Sequence, residues 1–225
     1  MKLITWNCCL PPWSLTRKFR LSKIVGSITL TNCDIVCLQE VFFKSDGNFI
    51  MANLKKIGFI DFFHAKDLFI ASRCPLKEKQ SLIFKEQGKL FTLAILDVLY
   101  QKGFQVVEFE YGNETMALVN AHLLSAKACE TPGYQNVRTN QVEQICRIVD
   151  NKKCILAGDF NFPPDTLPYQ KIVRSGFSDT SRAQAKTTKK KKLDYIFSKG
   201  IDIADIKSIF EEKTISDHSG LIVTF

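Results

Sequence analysis

Near its C-terminal end the chain carries Ser216-Asp217-His218-Ser219-Gly220-Leu221, a carboxylate and an imidazole side by side ahead of the β-branched run Leu221–Phe225. His218 is one of three histidines. A polar turn beside a rigid strand lets such a side chain reach a cleft, where a general base belongs; a solvated turn is the alternative reading. Glu40 follows the apolar run Asp34–Leu38 and precedes Val41-Phe42-Phe43. A carboxylate so placed is paired, metal-bound or turned to a cleft, because an isolated buried charge is very costly. Trp6-Asn7 closes an earlier apolar run. One Glu and one Asn suit a hard cation such as Mg²⁺, which takes carboxylate and amide oxygens and keeps several waters. Taken alone, Glu40 reads better as a structural ion-pair partner.

Gly158-Asp159-Phe160-Asn161 ends another apolar run. Asp159 and Asn161, two residues apart, point to one side of an extended segment while Phe160 points into the core. Asn120 and His122 share a face in the same way, with Val119, Ala121 and Leu123 opposite. Turn capping for Asp159 and a satisfied core position for His122 are the alternatives. A further candidate carboxylate, Asp194, follows Lys186 and the run Lys189–Lys192. Those lysines form either a solvated loop or a grip on phosphate.

The elements that must position these residues alternate along the chain. Leu3–Trp6, Asp34–Leu38, Leu68–Ser72, Gln80–Phe84, Phe104–Tyr111, Thr115–Leu123, Cys154–Phe160, Leu193–Ser198 and Leu221–Phe225 read as strands, several of them as the continuous apolar runs of a sheet covered on both faces. Arg20–Leu30 and Asn136–Val149 read as helices, the second placing Val142, Ile145, Cys146 and Val149 on one face. A shorter helix over Leu167–Ser175 ends near Gly176.

A chain of 225 residues without a linker-like stretch is expected to form one α/β domain over residues 1–225. The sequence shows no basic segment leading into an apolar leader and no apolar stretch of bilayer length. Its eight cysteines lie mostly in hydrophobic segments without C-x-x-C spacing, the pattern of buried free thiols in a reducing compartment. The expectation is a soluble, cytoplasmic monomer. A net charge of +8 and a pI near 9.0 suit a phosphate-rich partner.

As an ordered set, Thr5-Trp6-Asn7, Leu38-Gln39-Glu40-Val41, Asn120-Ala121-His122-Leu123, Gly158-Asp159-Phe160-Asn161, Leu193-Asp194-Tyr195-Ile196-Phe197 and Ser216-Asp217-His218 resemble the endonuclease/exonuclease/phosphatase superfamily. The resemblance implies a deoxyribonuclease I-like four-layer α/β sandwich, two mixed β-sheets face to face and flanked by helices. It also implies hydrolysis of phosphoesters, most often phosphodiesters, with Mg²⁺ or Mn²⁺. By the same resemblance Glu40 and Asn7 hold the cation and Asp217 contributes to the metal or water network. His218 is then the general base and Asp194 orients it, Asp159 and Asn161 position the nucleophile and scissile phosphate, and His122 with Asn120 donates to the phosphoryl oxygens. The alternative is a catalytically silent phosphate-binding or interaction module on the same fold.

Cys8-Cys9-Leu10 follows Asn7 where apurinic-site endonucleases of this family usually carry Asp and Gly, and those enzymes generally lack a His matching His122. That subclass is disfavoured. The Asn120–Leu123 segment is more similar to deoxyribonuclease I relatives, sphingomyelinase-like phosphodiesterases and inositol polyphosphate phosphatases. Lys102-Gly103-Phe104, with Tyr134, Arg138 and Gln141, resembles the sphingomyelinase-like group. Two substrate readings follow: nucleic acid gripped by Lys186–Lys192, or a phospholipid headgroup at a membrane surface met by Leu10-Pro11-Pro12-Trp13 and Phe42-Phe43.

Overall fold

The computed structural model describes residues 1–87, 101–125, 132–184 and 186–225. Among these residues twelve strands form two six-stranded sheets. In the first, β1 (Lys2–Asn7) and β2 (Ile35–Gln39) form a parallel central pair, flanked by β12 (Gly220–Thr224) and β11 (Asp205–Ile209) on one side and by β4 (Leu68–Ser72) and β3 (Asp61–Ala65) on the other. The second repeats the plan. Its parallel pair is β7 (Glu114–His122) and β8 (Cys154–Asp159), flanked by β6 (Gly103–Tyr111) and β5 (Lys77–Ile83), and by β10 (Asp194–Lys199) and β9 (Ser178–Asp179). Four helices are described: α1 (Arg17–Thr29), α2 (Lys44–Lys55), α3 (Pro132–Ile148) and α4 (Leu167–Arg174).

The period-two alternation of the strands sorts the apolar side chains into three layers. Leu3, Ile35, Cys37 and Ile70 of the first sheet meet Val107, Leu118, Ile155, Ala157 and Ile196 of the second in the central layer. The alternate residues Ile4, Trp6, Val36 and Leu38 face outward onto Leu21, Ile24 and Ile28 of α1 and Ile50 and Leu54 of α2. On the far side Phe104, Val119, Leu156 and Phe197 face Val142 and Ile145 of α3 and Ile172 of α4. Each such side chain taken from water contributes about 1.5–3 kcal/mol. The result is the four-layer α/β sandwich with two mixed sheets that the resemblance implied.

Four elements escape sequence reading: α2, β3, β11 and the two-residue β9. The sequence of α2 contains Gly47, Asn48 and Asn53 and has no capping side chain, so its propensity is poor. Packing forms it: Ile50 and Leu54 are buried, and the His64 ring lies where a Gly47 Cβ would sit. Strands β3 and β11 lie at the edges of their sheet and are only partly buried, so their sequences carry a weak apolar signal.

Continuing the inner face of each strand to its end gives the site. The residues in phase with Leu3, Cys37, Leu118, Ala157 and Ile196 are Asn7, Gln39, His122, Asp159 and Asp194, all at one end of the sandwich and all buried. The register confirms the grouping, with Asn7 opposite Gln39 and both His122 and Asp194 opposite Asp159. Gly158 makes that register attainable. It has φ +145, and an added Cβ would lie 2.0 Å from the Ala121 carbonyl oxygen on the neighbouring strand. Gly158→Ala is therefore expected to cost about 3 kcal/mol or more, read as a lowered urea midpoint; an unchanged midpoint would contradict this account.

Candidate functional site

The gap between the sheets is closed by a polar belt and then opens into the site. Asn120 belongs to the belt. Its amide nitrogen donates to the carbonyl oxygens of Leu38 at 3.1 Å and Phe69 at 3.3 Å and to Gln105 Oε1 at 3.2 Å, while its oxygen accepts from Gln39 Nε2 at 2.8 Å. The resemblance assigns Asn120 a bond to the phosphoryl group. The structure instead engages its amide between the sheets, where it ties them together one step behind His122.

His122 and Asp159 form the next step. His122 Nδ1 lies 2.7 Å from Asp67 Oδ2, and Nε2 lies 3.6 Å from Asp159 Oδ2. The buried Lys102 ammonium stands 2.9 and 3.0 Å from the two ring nitrogens and 3.4 Å from Asp67 Oδ2. Burial alone would push the Asp67 carboxyl up, but Lys102 and His122 together hold it well below the usual carboxylate range. Burial and Lys102 oppose a proton on His122; Asp67 and then Asp159 outweigh them and raise its pKa. Asp67 and Lys102 are members of this cluster to which sequence reading gave no role. Asp67 sits in the two-residue turn between β3 and β4, and Lys102 precedes β6, where either residue reads as an ordinary surface charge.

Asp159 accepts from Asn7 Nδ2 at 3.0 Å and from the Asn161 backbone N–H at 3.0 Å. Asn161, at φ +55, turns its amide inward to donate to the Leu123 carbonyl at 3.1 Å. On the far side of Asp159 stands the second imidazole–carboxylate pair, with His218 Nδ1 2.8 Å from Asp194 Oδ2. Asp159, Asp194 and His218 each place one donor atom within 4.8 Å of the others. Burial, then Asp194, push the Asp159 carboxyl up, and the two histidines pull it back. The His218 loop is fastened to the first sheet: Trp6 Nε1 donates to the His218 carbonyl at 3.0 Å and Ser216 Oγ donates to the Asn7 carbonyl at 2.7 Å.

Glu40 leaves β2 at φ +62, and Asn7 Nδ2 lies 3.2 Å from its Oε1. The same amide thus bridges Glu40 and Asp159. Asp217 is exposed and hydrogen-bonds the Cys9 thiol; burial, then Asp217 and Glu40, push that thiol up to about 11. Two carboxylates, Glu40 and Asp159, meet at Asn7 Nδ2, while Asn7 Oδ1 accepts from the Cys9 N–H at 3.0 Å. Carboxylate and amide oxygens are the donors a hard divalent cation takes, and Glu40, Asn7 and Asp217 are the residues that would hold it once Asn7 Oδ1 turns from the Cys9 N–H.

The lysine run divides. Lys186, Lys189, Lys190 and Lys191 are exposed, whereas Lys192 is buried against Asp179 Oδ2 at 3.1 Å and the Ser181 carbonyl at 2.6 Å. The Lys192 ammonium is thus committed to the interior. Of the apolar residues considered at a membrane-facing rim, Leu10 is buried and Phe42 half-buried, but Trp13 is 62% exposed and Phe43 37%. The Arg17 guanidinium lies over the Phe43 ring at 4.2 Å. Among the described residues no helix is long and apolar enough to cross a membrane.

The model of the Endonuclease/Exonuclease/phosphatase family matches residues 4–218. The chain belongs to this family. Members include sphingomyelinases and nucleases, so the chain is a member of a phosphoester-hydrolase family whose enzymes use divalent metals. Sphingomyelinase C of Leptospira interrogans is 23% identical over 207 residues, covering 77% of this chain and 36% of that protein. The CCR4-Not complex 3'-5'-exoribonuclease subunit Ccr4 of Candida glabrata is 41% identical over 56 residues, 25% of this chain and 6% of that protein. The chain therefore spans about a third of the first relative's length and a small part of the second's. In fold it is similar to a beta toxin of Staphylococcus aureus, with TM-score 0.80, 18% identity and 99% of both chains covered. A mutant of that toxin, at TM-score 0.75 and 17% identity over 99% of this chain and 98% of the toxin, carries bound magnesium ions.

The raised histidines give a pH signature. Burial works against the His218 imidazolium, yet Asp194, then Asp159 and Asp217, push its pKa up to about 10. An unfolded histidine titrates near 6.5. The folded chain binds this proton more tightly, so its stabilising contribution is full below about pH 6.5 and is lost as pH rises toward 10. In chelator, unfolding free energy is expected to fall between pH 6.5 and 8, below the range in which unfolded thiols ionise. His122 contributes in the same sense, so His218→Gln should show a shallower slope without becoming flat. Equal slopes in urea titrations of the two proteins would remove the basis for this assignment.

Proposed function

We propose that the chain is a divalent-metal-dependent phosphodiesterase that cleaves a phospholipid headgroup at a membrane surface. The observation that carries the hydrolase reading is the convergence of two imidazole–carboxylate pairs, Asp194–His218 and Asp67–His122, on the single buried Asp159, beside the Asn7 amide and the Glu40 carboxylate.

Glu40 and Asn7, with Asp217, would hold a cation such as Mg²⁺, whose positive charge would polarise the phosphate and offset the carboxylates around His218. His218 then accepts the proton of the attacking water at Nε2, because its Nδ1 faces Asp194. Asp194 fixes the ring and stabilises the imidazolium that forms. Asp159 and Asn161 orient the nucleophile and the phosphate. His122, kept protonated by Asp67, donates from Nε2 toward the phosphoryl oxygens as charge builds on them. No covalent intermediate is required.

Support for a lipid substrate comes from the surface beside the site. Trp13, Leu15, Phe19 and Phe43 are exposed on the segments that leave Asn7 and Glu40, interleaved with Arg17, Lys18 and Lys44. Apolar side chains among cations suit an interface of acyl chains and anionic headgroups. The broadest curated match reported above, a sphingomyelinase C, supports the same class. One observation favours nucleic acid instead: the exposed Lys189–Lys191 adjoin Thr188, which bridges to His218.

The deciding experiment is a panel of sphingomyelin vesicles, phosphoinositide vesicles, plasmid DNA, RNA and bis-para-nitrophenyl phosphate, each with Mg²⁺ and with chelator. Vesicle lipid should be cleaved only with Mg²⁺. Glu40→Gln should weaken Mg²⁺ binding and nearly abolish turnover; His218→Ala should retain Mg²⁺ binding and lose at least about 10²–10⁴-fold in kcat. Near-normal activity of His218→Ala on every diester would sink the mechanism.

A second prediction separates the substrates. Trp13→Ser with Leu15→Ser should weaken vesicle binding at least about tenfold, given roughly 1.5–3 kcal/mol for each large apolar side chain buried. Replacement of Lys189, Lys190 and Lys191 by alanine should leave lipid turnover in place. If that triple variant instead flattens the salt dependence of DNA or RNA binding while Trp13 and Leu15 prove neutral, nucleic acid is the substrate.

A further inference from the structure

Thr187, at the start of the lysine-rich turn, is fully buried and has no part in the chemistry above. Its hydroxyl oxygen accepts from two consecutive backbone N–H groups, Leu193 at 3.0 Å and Asp194 at 3.1 Å. Its carbonyl oxygen accepts from the N–H of Ser219, the residue after His218, at 2.6 Å. Its neighbour Thr188 pairs with His218 as an isolated antiparallel bridge. One residue therefore grips both the strand start that carries Asp194 and the loop that carries His218.

The turn holding Thr187 is itself braced. The Thr187 and Thr188 N–H groups donate to the Lys191 carbonyl at 3.2 and 3.0 Å, and Thr188 Oγ1 accepts from the N–H groups of Lys190 and Lys191. At its far end Lys192 is locked to Asp179 and the Ser181 carbonyl. Asp194 needs this frame because its own side chain is held on one side only. Its Oδ2 meets His218, while its buried Oδ1 has no hydrogen-bond partner. The aim of the carboxylate thus depends on the backbone beneath it, and the Thr187 hydroxyl fixes that backbone.

We infer that Thr187 is a positioning residue for the His218–Asp194 pair, setting the carboxylate's aim at the imidazole through its hydroxyl and the loop's place through its carbonyl. The kinetic part of this inference rests on His218 acting as the base. Thr187→Val keeps the branched shape and removes the hydroxyl; Thr187→Ser keeps the hydroxyl.

Two readouts test the inference: kcat and KM on bis-para-nitrophenyl phosphate with Mg²⁺, and the downfield proton resonance of His218 Nδ1, assigned by its loss in His218→Ala. Thr187→Val is expected to lower kcat roughly 10–100-fold with KM changed by less than about twofold, and to shift or broaden the resonance. Thr187→Ser should restore both. The inference is overturned if Thr187→Val keeps kcat within about twofold and the resonance in place, or if Thr187→Ser behaves like the valine variant. Should Thr187→Val fail to fold, Thr187→Ala is read by the same signals. Failure of both to fold would make Thr187 a folding residue and also overturn the inference. If His218→Ala keeps its activity, the base assignment fails, while the resonance still decides whether Thr187 positions the pair.

Discussion

Asp159 lies buried at the mouth of the gap between the sheets, where an ionised carboxylate persists only if donors surround it. The surrounding architecture meets that demand. Asn7 approaches from the first sheet, His122 from the parallel partner strand, the Asn161 N–H from the turn that follows, and His218 from the loop before the last strand. These groups come from segments more than 200 residues apart in sequence. The close approach of β7 and β8 at Gly158 and the left-handed turns at Glu40 and Asn161 are backbone conditions of the same meeting. Loss of any one would leave a charge exposed to low dielectric without its partner, and that cost ties local geometry to global stability.

Much of this was legible because strand arithmetic is simple. A buried strand reads as an apolar run, and a polar residue at the end of that run, in phase with the inner face, points into the gap. Asn7, His122, Asp159 and Asp194 all announce themselves in this way, and the structure gathers them at one end; Glu40, one residue past the in-phase Gln39, joins them through its left-handed turn. The rule does not measure depth along the gap. Asn120 and His122 share a face and differ by one step, yet Asn120 falls in the belt that ties the sheets together while His122 reaches the site. Sequence also treats Lys189–Lys192 as one run, whereas β10 begins directly after it and draws only its last ammonium inside.

The residues that escaped reading share a physical cause. Asp67 and Thr187 act from turns, where polar residues are the rule and carry no signal of burial, and Lys102, though part of a segment that resembles the sphingomyelinase-like group, shows no sign of burial in the sequence either. Their partners arrive from elsewhere: His122 lies 55 residues from Asp67 and 20 from Lys102. Helix α2 was missed for a related reason, since its stability comes from Ile50, Leu54 and the fit of His64 over Gly47 more than from helix propensity.

The two imidazole–carboxylate pairs are not equivalent, and their difference follows from what stands behind each. His122 is backed by Asp67 and a buried ammonium, one charge of each sign. His218 is backed by Asp194 and faces Asp159 and Asp217, a set with surplus negative charge that raises its pKa to about 10 in the metal-free chain. A cation held at Glu40 and Asn7, as proposed above, would act more on this second set than on the first, which already contains Lys102. At the same sandwich end, then, a carboxylate and an ammonium act against each other on His122, whereas carboxylates alone act on His218. That asymmetry assigns the donor role to His122 and the proton-accepting role to His218 in the proposed reaction.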